Sequence, residues 1–177
     1  MLKIILVTIA VLIAGLLLYT SMQPDQFRIE RSTRIQAPAD KIFPLINDLH
    51  QWSAWSPYEK KDPGMKRTFS GQGSGTGAAY AWEGNRDVGS GRMEIVDITP
   101  PSRILIQLDF FTPFAARNQA EFTLADSGDS TQVTWAMTGP APFLSKLMFL
   151  FFNMDKMVGP DFEAGLADLK RIAETGS

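Results

Sequence analysis

Three different spacings of hydrophobic and polar positions divide the chain. Residues 4–19 are apolar almost throughout, relieved only by Thr8 and Gly15 and preceded by Lys3. A helix over residues 2–22 spans about 30 Å, enough to cross the hydrocarbon core of a bilayer. From Phe27 the period changes to two. Phe27, Ile29, Thr33 and Ile35 alternate with Arg28, Glu30, Ser32, Arg34 and Gln36, which predicts a strand with one buried face and Arg31 intruding on it. Over residues 143–174 the period becomes helical. Leu144, Met148, Phe151, Val158, Phe162, Leu166 and Leu169 share a narrow stripe that predicts one buried face. Asp155 falls in the middle of that stripe, where a carboxylate is costly to desolvate unless it is paired, hydrogen-bonded or facing a wet cavity. Gly159-Pro160 interrupts the pattern without shifting its phase, so a bent, nearly continuous helix is expected, with a true break as the alternative.

Between these stretches, Ala37-Pro38-Ala39-Asp40 starts a predicted short helix with Pro38 in its first turn and Ile42, Phe43, Leu45, Ile46 and Leu49 on one face, kinked or ended by Pro44. Trp52 and Trp55 follow in a turn rich in apolar surface and are expected to lock it onto a sheet. Six further strands are predicted over 65–71, 78–83, 88–99, 103–111, 115–124 and 131–138, separated by glycine, proline and aspartate signals. Connections this short make the six an antiparallel meander, and the first strand brings the sheet to seven. Such a sheet curls, and the C-terminal helix is available to cover its concave face.

Composition narrows the chemistry. The chain has 177 residues, 45% of them hydrophobic, enough for one sizeable core. A net charge of -2 without a basic run gives no footprint for nucleic acid. Cysteine is absent and His50 is the only histidine, which excludes disulfides, thiol catalysis and histidine-cluster metal sites; no metal or cofactor is expected. The stretch from Gly73 through Gly75 to Ala78 matches a dinucleotide fingerprint formally, but a strand follows it where phosphate binding needs a helix N-terminus. His50 has Asp48 or Glu59 as a possible partner but no nucleophile beside it, so a structural role is favoured.

If the register is as read, Arg67, Tyr80, Trp82, Glu94, Asn118, Glu121, Trp135 and Met137 face the cavity, and Phe151 and Asp155 of the closing helix complete a candidate ligand site. A one-residue slip would invert the strand part of that set. The expected organisation is a transmembrane anchor over 1–22, a connector over 23–26 and one domain over 27–175. An uncleaved anchor is preferred to a signal peptide because small residues do not occupy both the first and third positions before any cut: Ser21 pairs with Tyr19, and Thr20 with Leu18. Lys3 on a short N-terminal tail votes for a domain outside the cytoplasm, while Arg28 and Arg31 vote against.

The order of elements, together with Arg31-Ser32, Ala37 to Phe43, Asp48, Trp52 and Trp55-Ser56-Pro57, and the tail from Gly159 to Lys170, resembles the START / Bet v 1-like (SRPBCC) superfamily, in particular its polyketide cyclase/dehydrase-like members. The resemblance covers about residues 27–174. It implies an α+β helix-grip fold, a seven-stranded curved antiparallel sheet wrapped around a long C-terminal helix, here preceded by a transmembrane helix. It also implies a hydrophobic small molecule or lipid as partner. Two alternatives accompany that expectation: a cyclase or dehydratase moving protons through Asp155, Glu121 or His50, and an interaction module with a filled core.

Overall fold

The computed structural model describes residues 1–176. An apolar helix, α1 (Leu2–Ser21), leads into a seven-stranded antiparallel sheet: β1 (Gln26–Ile35), β2 (Lys66–Gly71), β3 (Ala78–Glu83), β4 (Ser90–Thr99), β5 (Arg103–Thr112), β6 (Ala116–Asp126) and β7 (Thr131–Pro140). The spatial order is β1-β7-β6-β5-β4-β3-β2, so the meander runs from β2 to β7 and the first strand adds beside the last. Between β1 and β2 lie α2 (Ala39–Asn47), one 3₁₀ turn (Leu49–Gln51), α3 (Trp52–Trp55) and α4 (Pro57–Lys61). After β7 come α5 (Phe143–Phe149) and the long α6 (Met154–Thr175). This is the helix-grip architecture.

The alternation along each strand separates an inner face from an outer one. Ile104 and Ile106 on β5, Ala120 and Phe122 on β6 and Val133 and Trp135 on β7 are all buried beneath the helices. α6 packs along β1 and touches β7. Phe162 from its middle stacks on Trp135 with ring centroids 4.1 Å apart and planes 6° from parallel. Burying a side chain of this kind stabilises by about 1.5–3 kcal/mol. Gly165 permits the close approach, since a Cβ there would lie 2.9 Å from both Pro57 and Trp135. Trp52 and Trp55 donate their indole N–H groups to the Ile46 and Leu45 carbonyls, each at 2.9 Å, and meet Phe122 and Trp135 edge-on. They lock the α2–α3 segment onto the sheet as expected.

The helix runs unbroken through Gly159-Pro160, as the unshifted phase of the stripe predicts, and is interrupted at a place the pattern does not mark. Pro160 lies inside the continuous α6, and the interruption falls at residues 150–153. Asn153 is the reason: its side chain accepts from the Lys156 amide at 3.0 Å and caps a new helix. Gly176, with φ of 73°, ends that helix in the left-handed conformation. The stripe is also buried only in its second half. Phe162, Leu166 and Leu169 are buried, whereas Leu144, Met148 and Phe151 are exposed.

Candidate functional site

The concave face is the candidate site, and β-strand alternation decides which side chains reach it. Arg67, Tyr80, Trp82, Asn118, Trp135 and Met137 share the inner face. Tyr80 pairs with Met93 and Trp82 with Gly91 on β4, while Trp135 and Met137 pair with Arg31 and Ile29 on β1. Glu94 and Glu121 require a correction. Buried Met93 and Ile95 flank Glu94, and buried Ala120 and Phe122 flank Glu121, so both carboxylates turn to the outer face. There Glu94 pairs with Arg92 at 2.7 Å and Glu121 with Arg103 at 2.9 Å.

The two candidates on the closing segment also lie elsewhere than the stripe suggests. Phe151 sits in the turn between α5 and α6 with 70% of its surface exposed. Asp155 is exposed in the first turn of α6 and is clasped by Arg31, whose Nη1 and Nη2 donate to the two carboxylate oxygens at 2.7 and 2.9 Å. Arg31 Nε donates to Glu163 at 2.7 Å. The Arg31 hydrogen bonds hold the Asp155 carboxyl below the usual carboxylate range. Gly159 makes room for this clasp, since a Cβ there would fall 2.0 Å from Arg31 Nη2. The two anomalous charges, one on the first strand and one on the helix, are therefore partners.

On the β2–β3 side a buried polar knot stands against the apolar wall. Glu59 of α4 is 7% exposed and accepts from Tyr80 Oη at 2.6 Å and from Arg67 Nε at 2.7 Å. Burial and the Glu59 carboxylate push the Tyr80 hydroxyl above its ordinary value. The same carboxylate raises Arg67. His50 is not part of this knot: its Nδ1 lies 3.0 Å from Asp48 and its ring stacks on Phe69.

The middle of the concave face, beneath α6, is filled by the aromatic cluster around Trp135. The buried Trp135 indole N–H has no acceptor among the described residues. Toward the end where β1 begins, the inner face carries Phe27, Leu108 and Phe110, which are only partly buried, beside Asn118 and Met137. Two glycines let side chains lie flat there. A Cβ on Gly139 would meet Asn118 Oδ1 at 2.1 Å, and one on Gly91 would meet the Trp82 ring at 2.6 Å. Glycine inside a strand marks such close approaches, and this was the sequence signal that could have found them. Glu59 as the partner of Tyr80 and Arg67 had no local signal. Two open clefts are present besides. One of about 550 Å³, lined by Leu45, Asn47, Asp48, Gln51 and Ser74, lies away from this face. The other, of about 320 Å³, is lined by Gln26, Gln107, Arg117, Gln119, Thr138 and Pro140 and reaches Asn118 and Gly139. Among the described residues no His, Asp and Glu side chains cluster as a metal site.

A family model described as polyketide cyclase / dehydrase and lipid transport matches residues 26–174. No curated protein matches the chain. Among solved structures, a protein of Chromobacterium violaceum is similar with a TM-score of 0.58 and 14% identity, over 85% of this chain and 99% of that one. The Aha1 dimer from Colwellia psychrerythraea is similar with a TM-score of 0.59 and 16% identity, over 85% and 98%. The di-domain ARO/CYC BexL from the BE-7585A biosynthetic pathway gives a TM-score of 0.61 at 14% identity, over 88% of this chain and 52% of that one. At these identities the structural likeness establishes the fold.

Proposed function

The chain belongs to the polyketide cyclase / dehydrase and lipid transport family, and on that premise we propose that it is a membrane-tethered binder of a hydrophobic small molecule or lipid. In this reading residues 1–22 are the anchor, 23–26 the connector and 27–175 the binding domain. Lys3 on the short N-terminal tail supports a domain outside the cytoplasm. The ligand lies against the end of the concave face nearest β1's start, with Trp82, Asn118 and Met137 among its contacts. One observation carries this: Phe27, Leu108 and Phe110 line the inner face there yet stay only partly buried, because α6 packs on β1 and β7 and leaves the β5 side less covered. A partly wet apolar wall with one amide, Asn118, is the surface a small hydrophobic ligand with a polar group fits.

The enzymatic alternative has less support. A carboxyl held below the usual range, as Asp155 is, makes a poor acid at neutral pH. Glu121 faces away from the concave side, and His50 has no nucleophile near it.

Native mass spectrometry of the full-length chain released from membrane mimetics, with organic extraction, tests the binding reading. A discrete hydrophobic adduct is expected, and Leu108→Trp, which fills the wall, should abolish it while leaving the circular dichroism unchanged. A bare mass that stays bare after incubation with membrane lipids refutes the reading.

A further inference from the structure

The strand directions put three features at one end of the sheet. β1 begins there at Gln26, β7 ends there at Pro140 and leads into α5, and the turn joining β5 to β6 lies there too. The exposed aromatic and aliphatic side chains outside α1 concentrate at this end. Phe111 at the end of β5 and Phe114 on the β5–β6 turn are 57% and 76% exposed, and Phe143, Leu144, Phe151 and Phe152 are exposed on α5 and the turn after it. The opposite end is different in kind. Its turns, at residues 72–77, 100–102 and 127–130, carry no large apolar side chain. Apolar exposure this concentrated marks a contact surface rather than ordinary scatter.

What covers the surface is indicated by its neighbour. α1 is long and apolar enough to cross a bilayer, with a mean hydropathy of 2.6 over its apolar stretch and, of its residues, Thr20 alone buried. It packs on α5. Lys146 of α5, 6% exposed, places its ammonium 2.5 Å from Asp25 at the root of β1, so α5 is pinned where the chain leaves α1. Only residues 22–25 separate α1 from β1, which limits their separation to about 14 Å. Phe149 turns inward and meets Phe27 edge-on at 5.9 Å, so α5 is docked by one face while its other apolar side chains point out. Arg117, beside the Phe114 turn, pairs through Nε with Asp109 at 3.0 Å while 74% of its side chain stays exposed at this end.

We propose that this end of the body lies on the bilayer, with α5, the turn after it and the β5–β6 turn sunk in the interfacial layer of the membrane that α1 crosses. The polar β3–β4 turn, residues 84–89, lies toward the far edge of the same end and stays in water, so the sheet is tilted. The partly wet wall at Phe27, Leu108 and Phe110 then opens toward lipid, and a ligand passes between the wall and the bilayer without crossing water. The proposal rests on the reading of α1 as a membrane anchor.

The chain contains no cysteine, so single-cysteine variants can carry an environment-sensitive fluorophore at one position each. The full-length chain is reconstituted in phosphatidylcholine–phosphatidylglycerol vesicles as Phe114→Cys, Leu144→Cys and Phe151→Cys, with Leu12→Cys in α1 and Asp129→Cys at the opposite end as references. Blue-shifted emission and loss of intensity with doxyl-labelled lipids are expected at positions 114, 144, 151 and 12, and neither at 129. If position 12 is quenched while 114, 144 and 151 behave like 129, the anchor stands and the docking is refuted. A blue shift at these three without quenching by lipid means that protein, such as a second copy of the chain, covers the patch, and also refutes it. If position 12 itself escapes quenching, the anchor reading fails and the docking with it.

Discussion

Glu59 is the most consequential buried polar group on the concave face, and its removal has a cost that follows from its partners. In Glu59→Ala, the hydroxyl of Tyr80, a residue only 2% exposed, loses its acceptor. An unsatisfied buried hydroxyl costs about 1–3 kcal/mol. Arg67 loses its carboxylate as well, but its side chain is 27% exposed and keeps a 2.7 Å bond to the Met65 carbonyl, so it stays partly solvated. Its share falls far short of a fully buried broken pair, and the total comes to about 2–4 kcal/mol. Glu59→Gln keeps an acceptor for Tyr80 and should lose about half as much. Tyr80→Phe alone should cost about 1 kcal/mol, but in the Glu59→Ala background it should recover about 1–3 kcal/mol, because it removes the buried hydroxyl left without an acceptor. Urea unfolding of the full-length chain in detergent micelles, followed by tryptophan fluorescence, measures all four. A Glu59→Ala loss below about 1 kcal/mol, or strict additivity with Tyr80→Phe, would show that the knot does not hold α4 to the sheet.

Two further outcomes follow from the Arg31 clasp. Gly159→Ala should lower the melting temperature although alanine favours a helix interior by about 1 kcal/mol, because its Cβ displaces the guanidinium. In an Arg31→Ala background the same change should raise it, and one sign in both backgrounds would refute the steric account. Because the Arg31 hydrogen bonds depress the Asp155 carboxyl in the folded state, the stabilisation from this pair is complete at neutral pH and is lost as pH falls through the ordinary carboxyl range and below. Asp155→Asn should therefore melt below the parent at neutral pH and converge with it in acid. A melting-temperature gap that persists unchanged into acid would contradict that linkage.

Strand alternation made most of the sheet legible. Seven strands, their antiparallel order of connection and the inward direction of Tyr80, Trp82, Asn118, Trp135 and Met137 follow from a period of two. Glu94 and Glu121, read on the same register as cavity-facing, break it, since their flanking residues Met93, Ile95, Ala120 and Phe122 take the inner face. The Arg31–Asp155 clasp was half visible: each charge stood out on an apolar face, but their pairing joins residues 124 positions apart and needed the tertiary arrangement. The continuity of the helix through Gly159-Pro160 followed from the unshifted phase of the stripe, but the interruption at residues 150–153 did not, because it rests on the cap that Asn153 supplies to a new helix.

The C-terminal stripe shows what periodicity can and cannot say. Its phase runs unbroken from Leu144 to Leu169, and the pattern alone treats every member as buried against protein. In the fold the stripe divides at the turn over residues 150–153: the second half meets Trp135 and the sheet, while most of the first half faces outward beside α1. A helical moment records that one side prefers to leave water; it is silent on whether a sheet or a lipid layer receives it. The two halves carry different neighbours for the same reason that α1 is apolar all round and α6 on one side only. Asp155 belongs to this division as well. It stands just past the turn, where the stripe changes from outward to inward, and Arg31 on β1 holds it there by both carboxylate oxygens while its Nε holds Glu163 further along the same helix. The clasp thus fixes where α6 begins to cover the sheet, and with it how much of the apolar wall at Phe27, Leu108 and Phe110 is left open.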